Sequence, residues 1–292
     1  MSKILTIGSL NVDLINYVKS FPKPGETIFT KSFQQSPGGK GNNLANNIAK
    51  IGCKVNLVGA VGNDGNGLYL KKNLEKNGIS SEFLITLENE LTGIATILVD
   101  DSGENFIVVN SGANQSLKPE HINDACFDDC SIVVGTLESP IELLKHMYAK
   151  AKQLKQRTVL NLSPLNQLDL SVLDCVDDII VNKNEFDMLV SLIPSQSIEN
   201  LMKDKNIDNI ICTMSAEGVR LLTKKDDKFL KGTRVKAIDT AGAGDAFLSG
   251  YLCSILKGNN ITKSIETGMK YGAYSVQHKG CQVNLPLLND IA

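Results

Sequence analysis

Short apolar runs and longer amphipathic segments alternate along most of the chain. Runs rich in Ile, Val and Leu predict strands at 4–10, 55–61, 131–136, 158–162, 178–181 and 209–214. Segments with a helical apolar period predict helices at 141–156, 184–192 and 261–278, and another that follows the turn at 37–43 and stops at Gly52. Such alternation indicates an α/β fold, in which a central, mostly parallel sheet has helices on both faces.

Residues 238–247 form a glycine-rich turn that opens an apolar helix, with Asp245 at the junction. A helix N-terminus presents unpaired N–H groups and the positive end of the helix dipole, and Gly242 and Gly244 let an anion approach closely. A carboxylate at this position suggests a base for an attacking hydroxyl, so the turn indicates phosphoryl transfer. The structural alternative is that Asp245 only caps the helix and the glycines only make a tight turn.

A second glycine-rich turn, at 37–43, also leads into a helix and carries Lys40. Two such helix starts suit a substrate that is held by backbone and charge together. Neither turn matches a nucleotide fingerprint, because Gly242-Ala243-Gly244 lacks the third glycine of a dinucleotide site and Lys40 is not followed by the Ser or Thr of a P-loop. A nucleotide-dependent dehydrogenase is therefore a weaker interpretation.

One part of the chain departs from the alternation of strands and helices. Residues 92–100 and 104–110 are β-rich runs around Asp101-Ser102-Gly103, which predicts a hairpin. With 14–18 and 27–35 this hairpin forms a small separate sheet, which we interpret as a lid built from about 12–36 and 92–110. Lids over phosphoryl-transfer sites exclude water. We expect one domain over 1–292 that includes this lid.

Polar residues follow several predicted strands. They are Asn11, Asp13, Glu138, Asn184, Glu185 and Asp187. Ligands of open α/β sheets bind at the carboxyl ends of strands, which favours a role in binding. Turn formation or helix capping is the alternative for each of them.

Composition excludes several classes of partner. The 292 residues include 30 Lys plus Arg and 32 Asp plus Glu, for a net charge of −2, and no long block of like charge occurs. Neither nucleic acid nor a membrane surface is implied as a partner. The first residues resemble a strand rather than a signal peptide, and no apolar run reaches membrane-spanning length, so we expect a cytoplasmic protein.

The metal-binding side chains are scattered. The seven cysteines form no C-x-x-C pair, which favours reduced residues, mostly in the core. His121, His146 and His278 share no metal-ligand spacing. A zinc site is not predicted.

Taken together, several motifs resemble those of the ribokinase (PfkB) family of carbohydrate kinases over about residues 4–286. They are Gly8-Ser9-Leu10-Asn11-Val12-Asp13, Pro24-Gly25-Glu26-Thr27, Gly38-Gly39-Lys40-Gly41-Asn42-Asn43, Ser111-Gly112-Ala113-Asn114, Leu137-Glu138-Ser139-Pro140 and Asp239-Thr240-Ala241-Gly242-Ala243-Gly244-Asp245. Their order and spacing are specific in combination. The resemblance implies a ribokinase-like fold and ATP-dependent phosphorylation of a sugar primary hydroxyl, with D-ribose to ribose 5-phosphate as the first expectation.

The resemblance also implies roles for individual residues. Asp245 would be the base, with the backbone of Ala243, Gly244 and Asp245 as the anion hole and Gly242 as a further catalytic residue. The sugar would be held by Asn11, Asp13, Gly39, Lys40, Asn43 and Glu138, and the nucleotide by Asn184, Thr213, Ser215, Gly218 and Gly244. A monovalent cation, K⁺, would lie at Asp239, Ala241, Ser275, Gly280 and Asn284, and Asp187 would hold water bound to Mg²⁺. Lid strands that pair between subunits would make a homodimer.

Two positions depart from the family pattern. The Asn-x-x-Glu motif reads Asn184-Glu185-Phe186-Asp187, so its distal acid is one methylene shorter. In the Thr-x-Gly-x-x-Gly nucleotide turn, Ser215 replaces a glycine. Three alternatives stay open, namely a kinase for another sugar such as fructose, a kinase for a nucleoside such as pseudouridine or adenosine, and a sugar sensor without catalysis. The changes at Asp187 and Ser215 motivate the sensor.

Overall fold

The fold is built on a nine-stranded sheet, seen in a computed structural model that describes residues 2–165, 169–193 and 197–291. Its order is β13-β12-β11-β10-β9-β8-β1-β4-β5, with all neighbours parallel except β11–β12 and β12–β13. A second sheet has the order β3-β2-β6-β7 and is antiparallel except between β2 and β6. The predicted α/β fold class is confirmed.

The strands and helices have the following bounds. The strands are β1 Lys3–Ile7, β2 Asn11–Tyr17, β3 Ser32–Gly38, β4 Val55–Gly62, β5 Leu84–Leu87, β6 Gly93–Val99, β7 Asn105–Asn110, β8 Cys130–Thr136, β9 Arg157–Asn161, β10 Asp178–Asn182, β11 Asn209–Thr213, β12 Gly218–Thr223 and β13 Asp227–Lys231. The helices are α1 Lys40–Ile51, α2 Gly65–Lys76, α3 Ile141–Gln153, α4 Lys183–Ser191, α5 Ile198–Asp204, α6 Ala243–Leu256 and α7 Ile261–Ser275.

Several predicted bounds were wrong. The strand predicted at 4–10 ends at Ile7, and Asn11 already begins β2 of the second sheet. The strand predicted at 27–35 lies at Ser32–Gly38, because pairing with β2 fixes its register and its own sequence has little apolar pattern. The last helix stops at Ser275 rather than at residue 278. Strand β5, helix α5 and the edge strand β13 were not predicted, since all three are short.

The two faces of the large sheet carry separate apolar clusters. On β1, Leu5 belongs to a cluster with Met147 of α3, whereas Ile4 belongs to one with Leu44 of α1 and Leu248 of α6. Alternate side chains of a strand point to opposite faces, so a buried parallel strand is apolar throughout. None of the described helices is both long and apolar enough to cross a membrane.

Helix α6 is fixed to the sheet by a buried ion pair. The Asp178 carboxylate accepts two hydrogen bonds from the Arg157 guanidinium, both 2.7 Å long, and one of 2.7 Å from Asn209 Nδ2. It also accepts a 2.7 Å bond from the Tyr251 hydroxyl of α6. A buried carboxylate with several donors is strongly held in place. This contact fixes the position of α6 relative to the sheet, and with it the position of Asp245 at the start of the helix.

We expect Tyr251→Phe to lower the free energy of unfolding by about 1.5–3 kcal/mol, because it removes a buried hydrogen bond to a charged acceptor. Tyr148→Phe is the matched control. The Tyr148 hydroxyl is also buried but donates to the neutral carbonyl of Val159 over 2.8 Å, so its loss should cost only about 1 kcal/mol. Urea denaturation measures both values. Equal losses would contradict the anchoring role of Asp178.

Candidate active site

Close backbone contact brings the start of α1 against the turn between β1 and β2. A Cβ added at Gly41 would lie 2.4 Å from the carbonyl carbon of Gly8, and one at Gly39 would lie 2.6 Å from the Ser9 oxygen. Gly39 also has φ 88°, which side chains rarely adopt. The N-terminus of α1 can therefore reach the strand ends only because these positions have no side chain.

Asp13 lies over Gly38 on the paired strand β3. A Cβ on Gly38 would lie 2.2 Å from both carboxylate oxygens of Asp13, so only glycine leaves room for that side chain. Burial, with a smaller effect from the nearby Glu138 carboxylate, raises the pKa of Asp13 to about 7. The carboxyl group is therefore poised to ionise near neutral pH.

Glu138 closes the N-terminus of α1. Its Oε2 accepts a hydrogen bond of 3.0 Å from the backbone N–H of Lys40 and another from the Ser9 hydroxyl. The Ser9 Oγ in turn accepts a 3.1 Å bond from the same N–H. Ser9 was not singled out in the sequence, although it lies inside the Gly8–Asp13 motif.

Asn11 is buried and its orientation is fixed by a second asparagine. Asn114 Nδ2 donates to Asn11 Oδ1 over 2.9 Å, and Asn114 Oδ1 accepts from the backbone N–H of Leu10 over 2.9 Å. Because this bond fixes the orientation of the Asn11 amide, its Nδ2 group is the end that can donate a hydrogen bond to a ligand. Asn114 lies in the Ser111–Asn114 motif, but its hydrogen-bond partners were not predicted from the sequence.

Helix α6 begins at a glycine in the left-handed conformation, and the backbone of its first turn is open. Gly242 caps the helix with φ 73°, and a Cβ there would lie 2.8 Å from the Cα of Cys281. At Gly244 an added Cβ would meet no atom within 4 Å. This first turn can therefore receive a ligand directly on its backbone.

Asp245 lies in that first turn and is 8% exposed. Asn43 Nδ2 of α1 donates to its Oδ2 over 3.2 Å. Burial raises the pKa of Asp245, while the Lys40 charge and the Asn43 hydrogen bond act in the opposite direction. The hydrogen bond joins the two glycine-rich helix starts, as their shared chemistry suggested.

Lys40 lies among three carboxylates. Burial works against its charge, but Asp245, Glu138 and Glu185 outweigh burial and raise the pKa of Lys40. The ammonium group therefore remains protonated over the neutral range and supplies fixed positive charge beside Asp245.

A cavity of about 770 Å³ adjoins the N-terminus of α6. Of the predicted site residues, its lining includes Lys40, Asn184, Thr213, Ser215, Gly218, Ala243, Gly244 and Asp245. Apolar side chains, among them Phe247, Met269 and Val276, line another part of it. Ser215 has φ 50°, so it takes the left-handed conformation in which the family pattern has glycine. Such a cavity has the size and mixed lining of a small-molecule site.

The acid that lines the cavity on α4 is Glu185 rather than Asp187. Glu185 Oε2 accepts from the backbone N–H of Asn182 over 2.8 Å, in a capping box that starts α4. Asp187 is exposed and does not belong to the lining. The predicted role of Asp187 stays a prediction.

Three of the five predicted cation residues are joined by hydrogen bonds. Asp239 Oδ1 accepts from the Ala241 N–H, and its Oδ2 accepts from the Gly280 N–H, both over 2.9 Å. Ser275 Oγ is buried without a hydrogen-bond partner among the described atoms. Asn284 is exposed, and no described contact ties it to the others. A buried hydroxyl oxygen without a hydrogen-bond partner fits a ligand of a hard monovalent cation.

The fold and this combination of buried carboxylate, open helix terminus and cavity are those of a small-molecule kinase. The profile of the pfkB family carbohydrate kinase matches residues 1–288, and the chain belongs to that family.

Relatives and solved structures agree with this assignment. The chain is 34% identical to a ribokinase from Haemophilus influenzae, over 98% of this chain and 96% of the relative. It is 32% identical to a deoxyribokinase from Salmonella typhi, over 97% and 95% respectively. A ribokinase crystal structure from Thermotoga maritima superposes with a TM-score of 0.89 at 29% identity, and covers 100% of this chain and 98% of the other.

The raised pKa of Asp13 predicts a pH-dependent stability. The folded protein holds this proton up to about pH 7, whereas an unfolded Asp releases it near pH 3.9. The stabilisation is therefore present below about pH 4 and is lost as the pH rises through 7. In the ligand-free protein, Asp13→Asn should raise the unfolding midpoint relative to wild type by more at pH 8 than at pH 5.

Asp64→Asn is the control with the opposite sign. Burial raises the pKa of Asp64, but bonds from Thr92 and Gly67 outweigh it, and the net pKa is lowered. This variant should lose more stability at pH 8 than at low pH. Parallel pH profiles for wild type and Asp13→Asn would contradict the assignment.

Proposed function

We propose that the protein transfers the γ-phosphoryl group of ATP to a sugar primary hydroxyl, with D-ribose as the first candidate and ribose 5-phosphate as product. The observation that carries the proposal is the Asp245 carboxylate, buried within hydrogen-bond reach of Asn43 and in the same helical turn as the open backbone of Gly244. A ribokinase and a deoxyribokinase among the relatives support a pentose.

In the proposed reaction Asp245 accepts the proton of the sugar hydroxyl while its oxygen attacks the γ-phosphorus. The bond from that phosphorus to the bridging oxygen breaks, and ADP leaves. The N–H groups of Gly242, Ala243 and Gly244 and the Lys40 ammonium neutralise the charge on the transferred group. Burial holds the pKa of Asp245 above its usual value and the Lys40 charge limits that rise, which suits a group that must accept a proton.

The sugar is assigned to the pocket between the strand ends and α1. Asp13 can accept from two adjacent hydroxyls, while the backbone of Gly39 and the side chains of Asn11, Lys40 and Asn43 offer polar contacts. Glu138 is already occupied by the Lys40 N–H and Ser9, so we assign it to shaping the pocket as well as to binding sugar. The nucleotide is assigned to the cavity at Asn184, Thr213, Ser215, Gly218 and Gly244, whose residues supply polar and apolar surface.

Two ions complete the proposal. Mg²⁺ would neutralise phosphate charge, and Asn184 with Glu185 offers oxygen atoms at the cavity wall, alongside the predicted Asp187. K⁺ suits the oxygen atoms around Asp239, Ala241, Ser275 and Gly280, with Asn284 as the least supported member.

The second sheet is proposed as a lid and dimer contact within one domain over 1–292. Its edge strand β7 exposes Phe106, Ile107, Val108 and Val109 by 53–70%, and such an apolar edge favours pairing with another strand. We infer a homodimer through this sheet. Sedimentation equilibrium should give twice the chain mass for wild type, and Val108→Lys should shift the protein toward monomer. The seven free cysteines are consistent with a cytoplasmic enzyme.

A substrate panel tests the function. With ATP, Mg²⁺ and K⁺, ADP release is measured over ribose, 2-deoxyribose, fructose, pseudouridine and adenosine. We expect the highest kcat/KM with ribose or 2-deoxyribose. A preference for fructose or a nucleoside would move the protein to another member of the same family. If calorimetry detects ribose binding but no acceptor in the panel leads to ADP formation, a sugar sensor without catalysis is favoured.

Asp245→Asn is the control for catalysis. The amide keeps the size of the side chain but cannot accept the proton, so kcat should fall by at least about 100-fold. Ribose affinity measured by calorimetry should change little. Near-normal turnover in this variant would remove Asp245 from the mechanism.

A further inference from the structure

The chain segment after α7 lies along the face of α1 that carries Asn43. Lys50 Nζ, in the last turn of α1, donates to the carbonyl oxygens of Gln282 and Val283 over 2.7 and 3.1 Å. Asn43 and Lys50 are seven residues apart, which places them on the same face of the helix two turns from each other. Residues 282 and 283 are thus held beside Asn43.

The Gln282 side chain continues this contact toward the base. Its Nε2 donates to Asn43 Oδ1 over 3.2 Å and lies 3.5 Å from the Pro37 carbonyl oxygen. The other end of the same Asn43 amide, Nδ2, donates to Asp245 Oδ2 over 3.2 Å. Two successive hydrogen bonds therefore connect Gln282 with Asp245 through Asn43.

The direction of these two hydrogen bonds depends on which end of the Asn43 amide faces Asp245. An ionised carboxylate only accepts hydrogen bonds, so Asn43 must turn its Nδ2 toward Asp245 and its Oδ1 away. The two ends of an amide have nearly the same shape, and packing alone does not distinguish them. A donor on the Oδ1 side does distinguish them, and Gln282 Nε2 is that donor.

We propose that Gln282 is a positioning residue for the base: it fixes the amide of Asn43 so that Nδ2 faces Asp245. Without it, Asn43 can turn its Oδ1 to the carboxylate, where two acceptors repel each other and Asp245 leaves its reactive position. The inference rests on the proposed role of Asp245. It adds a residue from the C-terminal segment that does not line the cavity and reaches the site only through its contacts with Asn43 and Pro37.

Three single variants test the proposal. Gln282→Leu removes the donor and should lower kcat by about tenfold, the loss expected for one hydrogen bond to a buried network, with little change in KM for ATP. Gln282→Glu keeps the shape but offers an acceptor to Asn43 Oδ1, so its kcat should fall below that of Gln282→Leu. Gln277→Leu is the matched control, because Gln277 lies just after α7, is exposed, and its side-chain amide donates to the carbonyl of Ala273 in that helix. This variant should retain wild-type kcat.

A purely structural role predicts the reverse order, with the isosteric Gln282→Glu milder than Gln282→Leu. A double-mutant cycle then locates the effect. If Gln282 acts through Asn43, adding Gln282→Leu to Asn43→Ala should lower kcat no further. Thermal melts check folding, and Gln282→Met, which also lacks a donor, replaces the Leu variant if that one does not fold.

The inference is overturned if Gln282→Leu has wild-type kcat, or if its effect multiplies with that of Asn43→Ala. Either result leaves the proposed function intact, provided that Asp245→Asn is inactive. An active Asp245→Asn would instead remove the proposed function, whatever the Gln282 variants show. The two failures are therefore separable.

Discussion

The structure depends on keeping one carboxylate, Asp245, buried beside a helix terminus that attracts anions. Burial favours the protonated acid, which is useless as a base, and the Lys40 charge and Asn43 hydrogen bond counter it. Both groups come from α1, so α1 and α6 must meet at their N-termini. The backbone contact of Gly8 with Gly41 and the cap at Gly242 permit this approach. The glycines that look like flexible turns in the sequence are therefore rigid contact points.

The same constraint explains the anchoring of α6. In the proposed reaction Asp245 must meet both a hydroxyl and a phosphoryl group, and a shift of about 1 Å in such a group lowers the rate. Tyr251 ties the middle of α6 to the ion pair of Asp178 on β10 with Arg157 on β9. Asn43 ties its first turn to α1. Two contacts thus hold the helix. The one in its middle contributes stability, and the one in its first turn orients the carboxylate.

Periodicity predicted the large sheet well, because its strands are apolar on both faces and its longer helices are amphipathic. It failed where tertiary pairing overrides local pattern: β3 takes its register from β2, and the short β5 and β13 depend on the strand beside them. Motifs predicted which residues gather at the site, including Asn43 and Asp245. They did not predict the hydrogen-bond partners of Ser9, Asn114 or Gln282, because those bonds join segments that are far apart in the chain.

The most direct test observes the helix terminus itself. Backbone ¹⁵N–¹H resonances of Ala243 and Gly244 can be followed while ribose, Mg²⁺, ADP and tetrafluoroaluminate, a mimic of the phosphoryl group in flight, are added. Large downfield shifts of these amides are expected only when all components are present, because the N–H groups then bond to the mimic. Calorimetry shows whether the complex forms. If it forms and these resonances do not move, the transferred group is neutralised elsewhere and the proposed role of the α6 N-terminus is wrong.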